Sequence, residues 1–289
     1  MLTSTRARRT LAVIAATALA GLAMTACAGA TGSPSGATTA SNHSGMADMP
    51  TGDGLTADAS GFRFAPLTSR LPAGQVVSFP FRILGADGKP VTAFEPDQTK
   101  PMHFYLIRSD LTGFQHVHPS ISADGTLTAP LSPAQPGTYR AYTSFITKDA
   151  VGNTVPLLLS QPLTVPGAVT TTPLPVASTT AQVDGYTLTL SGDRIMAGAE
   201  HPLTITVSKD GRPVTDLQPY LDTYAHLTAF HDNDLAFAHL HPHGEVNGDH
   251  GGPALSFAAM LPKAGNWRLF VQFQTAGVLH TAAMTLAVG

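Results

Sequence analysis

Alternating apolar and polar positions, interrupted by turns rich in Gly, Pro, Asn and Asp, run from about residue 60 to the end of the chain. A period of two marks a half-buried strand. Such stretches predict strands over residues 76–84, 102–108, 114–118 and 139–146. They return over 186–190, 203–207, 226–230, 269–273 and 280–288. The breaks between them, such as Ala86-Asp87-Gly88-Lys89-Pro90 and Lys263-Ala264-Gly265-Asn266, carry turn chemistry. No stretch beyond residue 27 shows the 3.6-residue period of an amphipathic helix. Short strands at this spacing, in units of about 110 residues, predict antiparallel β-sandwiches.

The pattern occurs twice. Gly88-Lys89-Pro90-Val91-Thr92 returns as Gly211-Arg212-Pro213-Val214-Thr215, and Met102-His103-Phe104 as Ala225-His226-Leu227. Phe114-Gln115-His116-Val117-His118-Pro119 returns as Phe237-Ala238-His239-Leu240-His241-Pro242. Gly137-Thr138-Tyr139-Arg140 returns as Gly265-Asn266-Trp267-Arg268. The expected fold class is all-β, with two tandem Ig-like antiparallel β-sandwiches, over 59–166 and 182–289, joined by a Thr/Pro/Ala linker over 167–181.

The N-terminus reads as an address. Arg6, Arg8 and Arg9 precede an apolar run beginning at Leu11 that is too short to span a bilayer comfortably. Met24-Thr25-Ala26-Cys27 resembles a bacterial lipobox, with Met in place of the usual Leu at its first position. The expectation is a signal peptide over 1–26, a lipid (palmitate-bearing) anchor on Cys27, and a flexible tether over 27–58. The protein would then sit on the extracytoplasmic face of the cell membrane. Cys27 is the single cysteine, which excludes a disulfide framework and a thiolate zinc site. Charged residues make up 12% of the chain and the net charge is −3, so the chain lacks the basic surface that nucleic acid requires.

Against 16 Lys and Arg the chain has 12 His, and these carry the chemical promise. His103, His116 and His118 share the spacing H-x12-H-x-H with His226, His239 and His241. If Ser109 pairs with Phe114, Tyr105 faces His118 and Ile107 faces His116, and the three imidazoles of the first copy share one side of the hairpin. That register sets His116 on the order of 13 Å along from His103, too far for one ion to hold both. In the second copy it puts His226 opposite His243 and diagonal to His241. The second copy is therefore expected to be the stronger site, with His226, His241 and His243 converging without His239. Neutral imidazole ligates Cu(II) and Zn(II). In the tether, His43, Met46 and Met49 form a possible accessory set for copper, since thioethers suit Cu(I).

Catalytic signatures are missing. The sequence has no Gly-x-Ser-x-Gly, His-Glu-x-x-His or phosphate-binding glycine loop. The acids Glu95, Asp97, Asp216 and Asp222 read as turn or cap residues. Residues from about 60 to 289 resemble an uncharacterised family of secreted actinobacterial lipoproteins with tandem Ig-like His-x-His-Pro domains. The resemblance is carried by residues 211–221, 225–227, 239–242 and 265–268; the first copy departs from it at Ala93-Phe94-Glu95-Pro96. Such domains are similar to β-sandwiches in bacterial copper-handling settings, which implies a metal-related role outside the cytoplasm. The expected function is thus a lipid-anchored protein, and no enzyme, that binds or buffers a transition metal, copper ahead of zinc. The alternative is a metal-free Ig-like module docking another envelope protein or a glycan.

Overall fold

The computed structural model of the chain describes residues 53–244 and 246–289. The expected signal peptide, the expected anchor at Cys27 and the tether residues His43, Met46 and Met49 lie outside the described residues.

The first copy contains β1 (Asp58–Ala59), β2 (Phe62–Pro66), β3 (Val77–Leu84), β4 (His103–Arg108), β5 (Gln115–Val117), β6 (Ser120–Ile121), β7 (Leu127–Leu131), β8 (Gly137–Lys148) and β9 (Thr154–Val165). The second contains β10 (Thr180–Val183), β11 (Tyr186–Ser191), β12 (Glu200–Lys209), β13 (Arg212–Pro213), β14 (Ala225–His231), β15 (Phe237–His243), β16 (Ala254–Met260), β17 (Gly265–Thr275) and β18 (Val278–Val288). Every strand pair is antiparallel, and the described residues contain no helix, as the alternation requires. The first copy is a sandwich of two sheets, ordered β1-β2-β3-β7-β6 and β5-β4-β8-β9. The second repeats this layout, except that β15 joins both sheets: Phe237 to Leu240 pair with β14, and His241 to His243 pair with β16. In the first copy the same path is broken at His118-Pro119, between β5 and β6.

Strand β9 escapes the sequence pattern because it contains Pro156 and Pro162. It lies at a sheet edge, where a missing N–H costs no ladder bond. In β3 the alternation holds: Phe79, Phe81 and Ile83 point into the first core. In β4 and β14 it fails, since every residue is buried. One face of each packs in its own sandwich, as Phe104 and Leu106 do in the first and Leu227 and Ala229 in the second. The other face meets the opposite sandwich. Tyr105, Tyr142, Phe230, Phe237 and Phe270 form a shared apolar cluster there, with Phe114 stacked on Phe270 at 4.2 Å. Each such side chain removed from water contributes about 1.5–3 kcal/mol, so the two copies are pressed together through an interior rather than strung on a loose linker.

The connecting segments are fastened to that interface. The described end of the expected flexible tether is held, because Phe237 N–H donates to Asp53 O (2.9 Å), Ser160 N–H to Thr56 O (2.7 Å), and Lys263 pairs with Asp53 (2.9 Å). Gly54 has φ +69°, and a Cβ there would stand 2.7 Å from Leu158, so only glycine fits. The linker is held by Arg108, which donates to Thr170 O (2.8 Å), and by Asp110, which accepts from Thr172 N–H (2.9 Å).

Arg108 and Asp110 form an ion pair with side chains only 8% and 9% exposed. Burial raises the Asp110 pKa, but the Arg108 guanidinium, the Thr112 hydroxyl and the Thr172 N–H outweigh it and hold the carboxyl well below the carboxylate range. A depressed carboxyl contributes stability that is complete above its unfolded pKa of about 4 and is lost as pH falls toward the folded value. Urea unfolding between pH 7 and pH 2 should therefore show a loss of stability below about pH 4 that is smaller in Asp110→Asn. Identical acid limbs in parent and variant would refute this role for the pair.

Candidate metal centre

The hairpin that carries the first three histidines closes more tightly than the spacing suggested. Arg108 N–H donates to Thr112 O and Leu111 N–H to Arg108 O, both at 2.9 Å, with Leu111 at φ 62°. Asp110 braces the turn by accepting from the Thr112 hydroxyl at 2.6 Å. The pairing is consequently Phe104 with Val117, Tyr105 with His116 and Leu106 with Gln115. This is two residues away from the expected register, which had set Tyr105 against His118 and Ile107 against His116. A shift of two keeps every side chain on its face, so His103, His116 and His118 still share one side. It also removes the expected separation of His103 from His116.

The three rings converge. Their centroids are 5.2 Å (His103–His116), 5.0 Å (His103–His118) and 4.9 Å (His116–His118) apart. Their ligand nitrogens lie within 4.8 Å of one another. With metal–nitrogen bonds of about 2.0–2.1 Å, imidazoles around a tetrahedral ion have centroids about 5 Å apart. His103 is 1% exposed, Tyr105 stacks on His116 at 4.4 Å, and Tyr105 is itself fully buried.

Hydrogen-bond accounting shows what the cluster lacks. His103 Nε2 lies 3.0 Å from Asp97 O, and His116 Nδ1 lies 2.7 Å from Gln272 Oε1. With the Gln272 amide oxygen turned to His116, both partners accept, and those two nitrogens carry the ring protons. The remaining nitrogens, His103 Nδ1 and His116 Nε2, then face each other at 3.0 Å with a lone pair each. Two ligands side by side on one ion have nitrogens about 2.9–3.4 Å apart. His118 Nε2 is a third buried nitrogen, with no hydrogen-bond partner.

A proton does not fill the gap readily. Burial pushes the His103 pKa down, with Asp97 only partly opposing it. Burial and the neighbouring His103 push His116 well below the ordinary imidazole value. His118 is lowered to about 3, by burial first and then by His103, Lys100 and His226. The site is neutral, uses nitrogen donors only, and suits a borderline divalent ion.

The second copy is arranged differently from expectation. Its register pairs Leu227 with Leu240 and Thr228 with His239, and the pairing with β14 ends there, because His241 and His243 pair with β16; His226 is not opposite His243. Its turn also closes early, with Leu235 at φ 62° and Asp234 accepting from Ala236 N–H at 3.0 Å. His243 pairs with Ser256 of β16 and is exposed, so it does not join His226. The side chain of His241 lies outside the described residues. His239 is 8% exposed, with its ring 6.1 Å from His226. His226 Nε2 lies 3.1 Å from Tyr220 O, repeating the bond between His103 and Asp97 O. The argument for ranking the second copy first therefore fails with its register.

His226 instead turns toward the first copy, with its ring 6.5 Å from His103 and 6.0 Å from His116. His231 is held by Asp234 (2.8 Å) and Ala264 O (3.1 Å), and His280 by Asp184 (2.8 Å) and Thr275 (2.9 Å). Both act structurally. Gln272 and the Asp97 carbonyl were not foreseen; the available signal was a lone glutamine inside the apolar run Leu269-Phe270-Val271-Gln272-Phe273.

Comparison with known proteins adds a family and little else. No curated protein matches the chain. Among solved structures, an Escherichia coli adhesin, FdeC, has 18% identity and a TM-score of 0.27, over 81% of this chain and 67% of its own. An Escherichia coli alpha-2-macroglobulin has 12% identity and a TM-score of 0.25, over 80% of this chain and 24% of its own. The Ig1-2 module of the Drosophila receptor tyrosine phosphatase DLAR has 11% identity and a TM-score of 0.19, over 79% of this chain and 98% of its own. Scores of this size carry no argument about function. The family model is more informative, because it matches residues 57–160 and again 181–289, one stretch in each copy. The chain belongs to the family described as "Domain of unknown function (DUF8832)".

Proposed function

We propose that this protein is a binding protein, not an enzyme, that holds one divalent transition-metal ion at His103, His116 and His118, outside the cytoplasm and on a lipid anchor at Cys27. Copper is the ion assigned first. An all-imidazole site follows the order in which Cu(II) binds most tightly among first-row divalent ions, and Zn(II) is next. The single observation that supports the reading is the convergence of His103, His116 and His118, whose ligand nitrogens lie within 4.8 Å of one another in a largely buried setting. The extracytoplasmic placement is supported by the sequence of residues 1–27 alone.

The test is elemental analysis and Cu(II) titration of the chain purified without a histidine tag, alongside His103→Ala/His118→Ala. The expected result is one ion per parent chain and an affinity at least about 100-fold weaker in the double variant, since lost ligands exceed the 10–100-fold effect of lost outer partners. A parent that takes up no copper or zinc above background refutes the reading. The histidines are then structural, and a metal-free module docking an envelope protein or a glycan replaces it.

A further inference from the structure

The metal reading above leaves two side chains of the second sandwich unexplained. Gln272 of β17 is 4% exposed and reaches across the interface to His116. His226 of β14 stands beside the same cluster. We propose that the centre spans both sandwiches: Gln272 fixes which nitrogen of His116 meets the ion, and His226 supplies a fourth imidazole. The inference rests on the metal reading and gives the ion a second task, that of cross-linking the two copies.

Gln272 is a positioning residue. Its Oε1 lies 2.7 Å from His116 Nδ1, and its Nε2 donates to Thr281 Oγ1 at 3.4 Å. In this orientation His116 presents Nε2 to the ion. The reversed amide would donate to His116 Nδ1 instead. One proton would then pass to His116 Nε2 and be donated to His103 Nδ1, while His103 Nε2–H still faced Asp97 O. That network closes with no ion. The amide of Gln272 therefore separates a metal-holding arrangement from a metal-free one, as a partner that sets a ligand's tautomer does in metal centres generally.

His226 is the repeat counterpart of His103. Its Nε2 faces Tyr220 O, so in the neutral ring Nδ1 carries the lone pair, as in His103. Its centroid distances of 6.5 and 6.0 Å exceed the spacing around a tetrahedral ion by about 1 Å. Ligation by His226 therefore requires a side-chain shift of that size when the ion binds. The fit is favoured by the apolar cluster that holds the sandwiches together around Tyr105, Phe237 and Phe230.

The experiment compares full-length chains carrying Gln272→Leu, Gln272→Glu, His226→Ala and His103→Ala/His118→Ala. It uses Co(II) as a spectroscopic probe and Cu(II) for affinity. Gln272→Leu should weaken binding about 10–100-fold. Gln272→Glu, of the same shape and able only to accept, should match or exceed the parent. His226→Ala should shift the Co(II) d–d bands, because water replaces a nitrogen ligand. If Gln272→Leu and His226→Ala keep parental affinity and spectrum while the double variant loses binding, the spanning centre is refuted and the three-histidine site stands. If Gln272→Glu binds as poorly as Gln272→Leu, the tautomer role is refuted. If the parent binds no metal, the site and this extension fall together.

Discussion

Zn(II) at a thousandfold excess over its dissociation constant raises the free energy of unfolding by about 4 kcal/mol, and His116→Ala abolishes that gain. The size follows from mass action for an ion that binds the folded chain alone, since the unfolded chain offers no assembled site. His116 is the right residue to remove, since it touches every part of the arrangement. Its Nε2 faces His103 Nδ1 at 3.0 Å, its Nδ1 faces Gln272 at 2.7 Å, and its ring stacks on Tyr105 at 4.4 Å. Urea unfolding with zinc, and again after addition of a chelator, reads the effect directly. An equal gain in parent and variant would place the ion elsewhere.

Phe230→Ala costs about 3–5 kcal/mol of stability and uncouples the two sandwiches. Phe230 is fully buried, with its ring 5.5 Å from Tyr142, 5.4 Å from Phe237, 6.0 Å from Phe270 and 6.0 Å from Phe114. Tyr142 and Phe114 belong to the first copy, so trimming Phe230 opens a cavity in the shared layer. The parent should unfold in one transition by both circular dichroism and the fluorescence of Trp267, which is buried in the second core. In the variant the two signals should separate. Val176→Ala, on an exposed linker side chain, should change stability by no more than about 0.5 kcal/mol. A Phe230→Ala chain as stable as that control would mean that the copies do not support each other.

Strands, repeat and shared histidine face could be read from the chain because they depend on local periods. Strand-like runs bounded by turn residues identified β3, β4, β8 and their counterparts, and a spacing of 123 residues between matching segments revealed the second copy. The parity that puts His103, His116 and His118 on one side survived an error of two in register, since side-chain direction repeats every two residues. Strands β9 and β7 were less legible, because Pro156, Pro162 and Pro130 break the alternation that marks a strand.

The sequence by itself determined an all-β chain with two like sandwiches and a histidine-bearing hairpin in each, because those properties are written in neighbouring residues. Only the tertiary structure decided that the hairpin closes two residues early, bringing His103 within reach of His116. It alone decided that β4 and β14 bury both faces, so that the copies share an interior. It also placed Gln272, 156 residues away, 2.7 Å from His116. Register is chosen by turn geometry, and an interface by which faces are covered. Neither is encoded in a local period, which is why a first copy that looked poorer in histidines holds the converging set seen among the described residues.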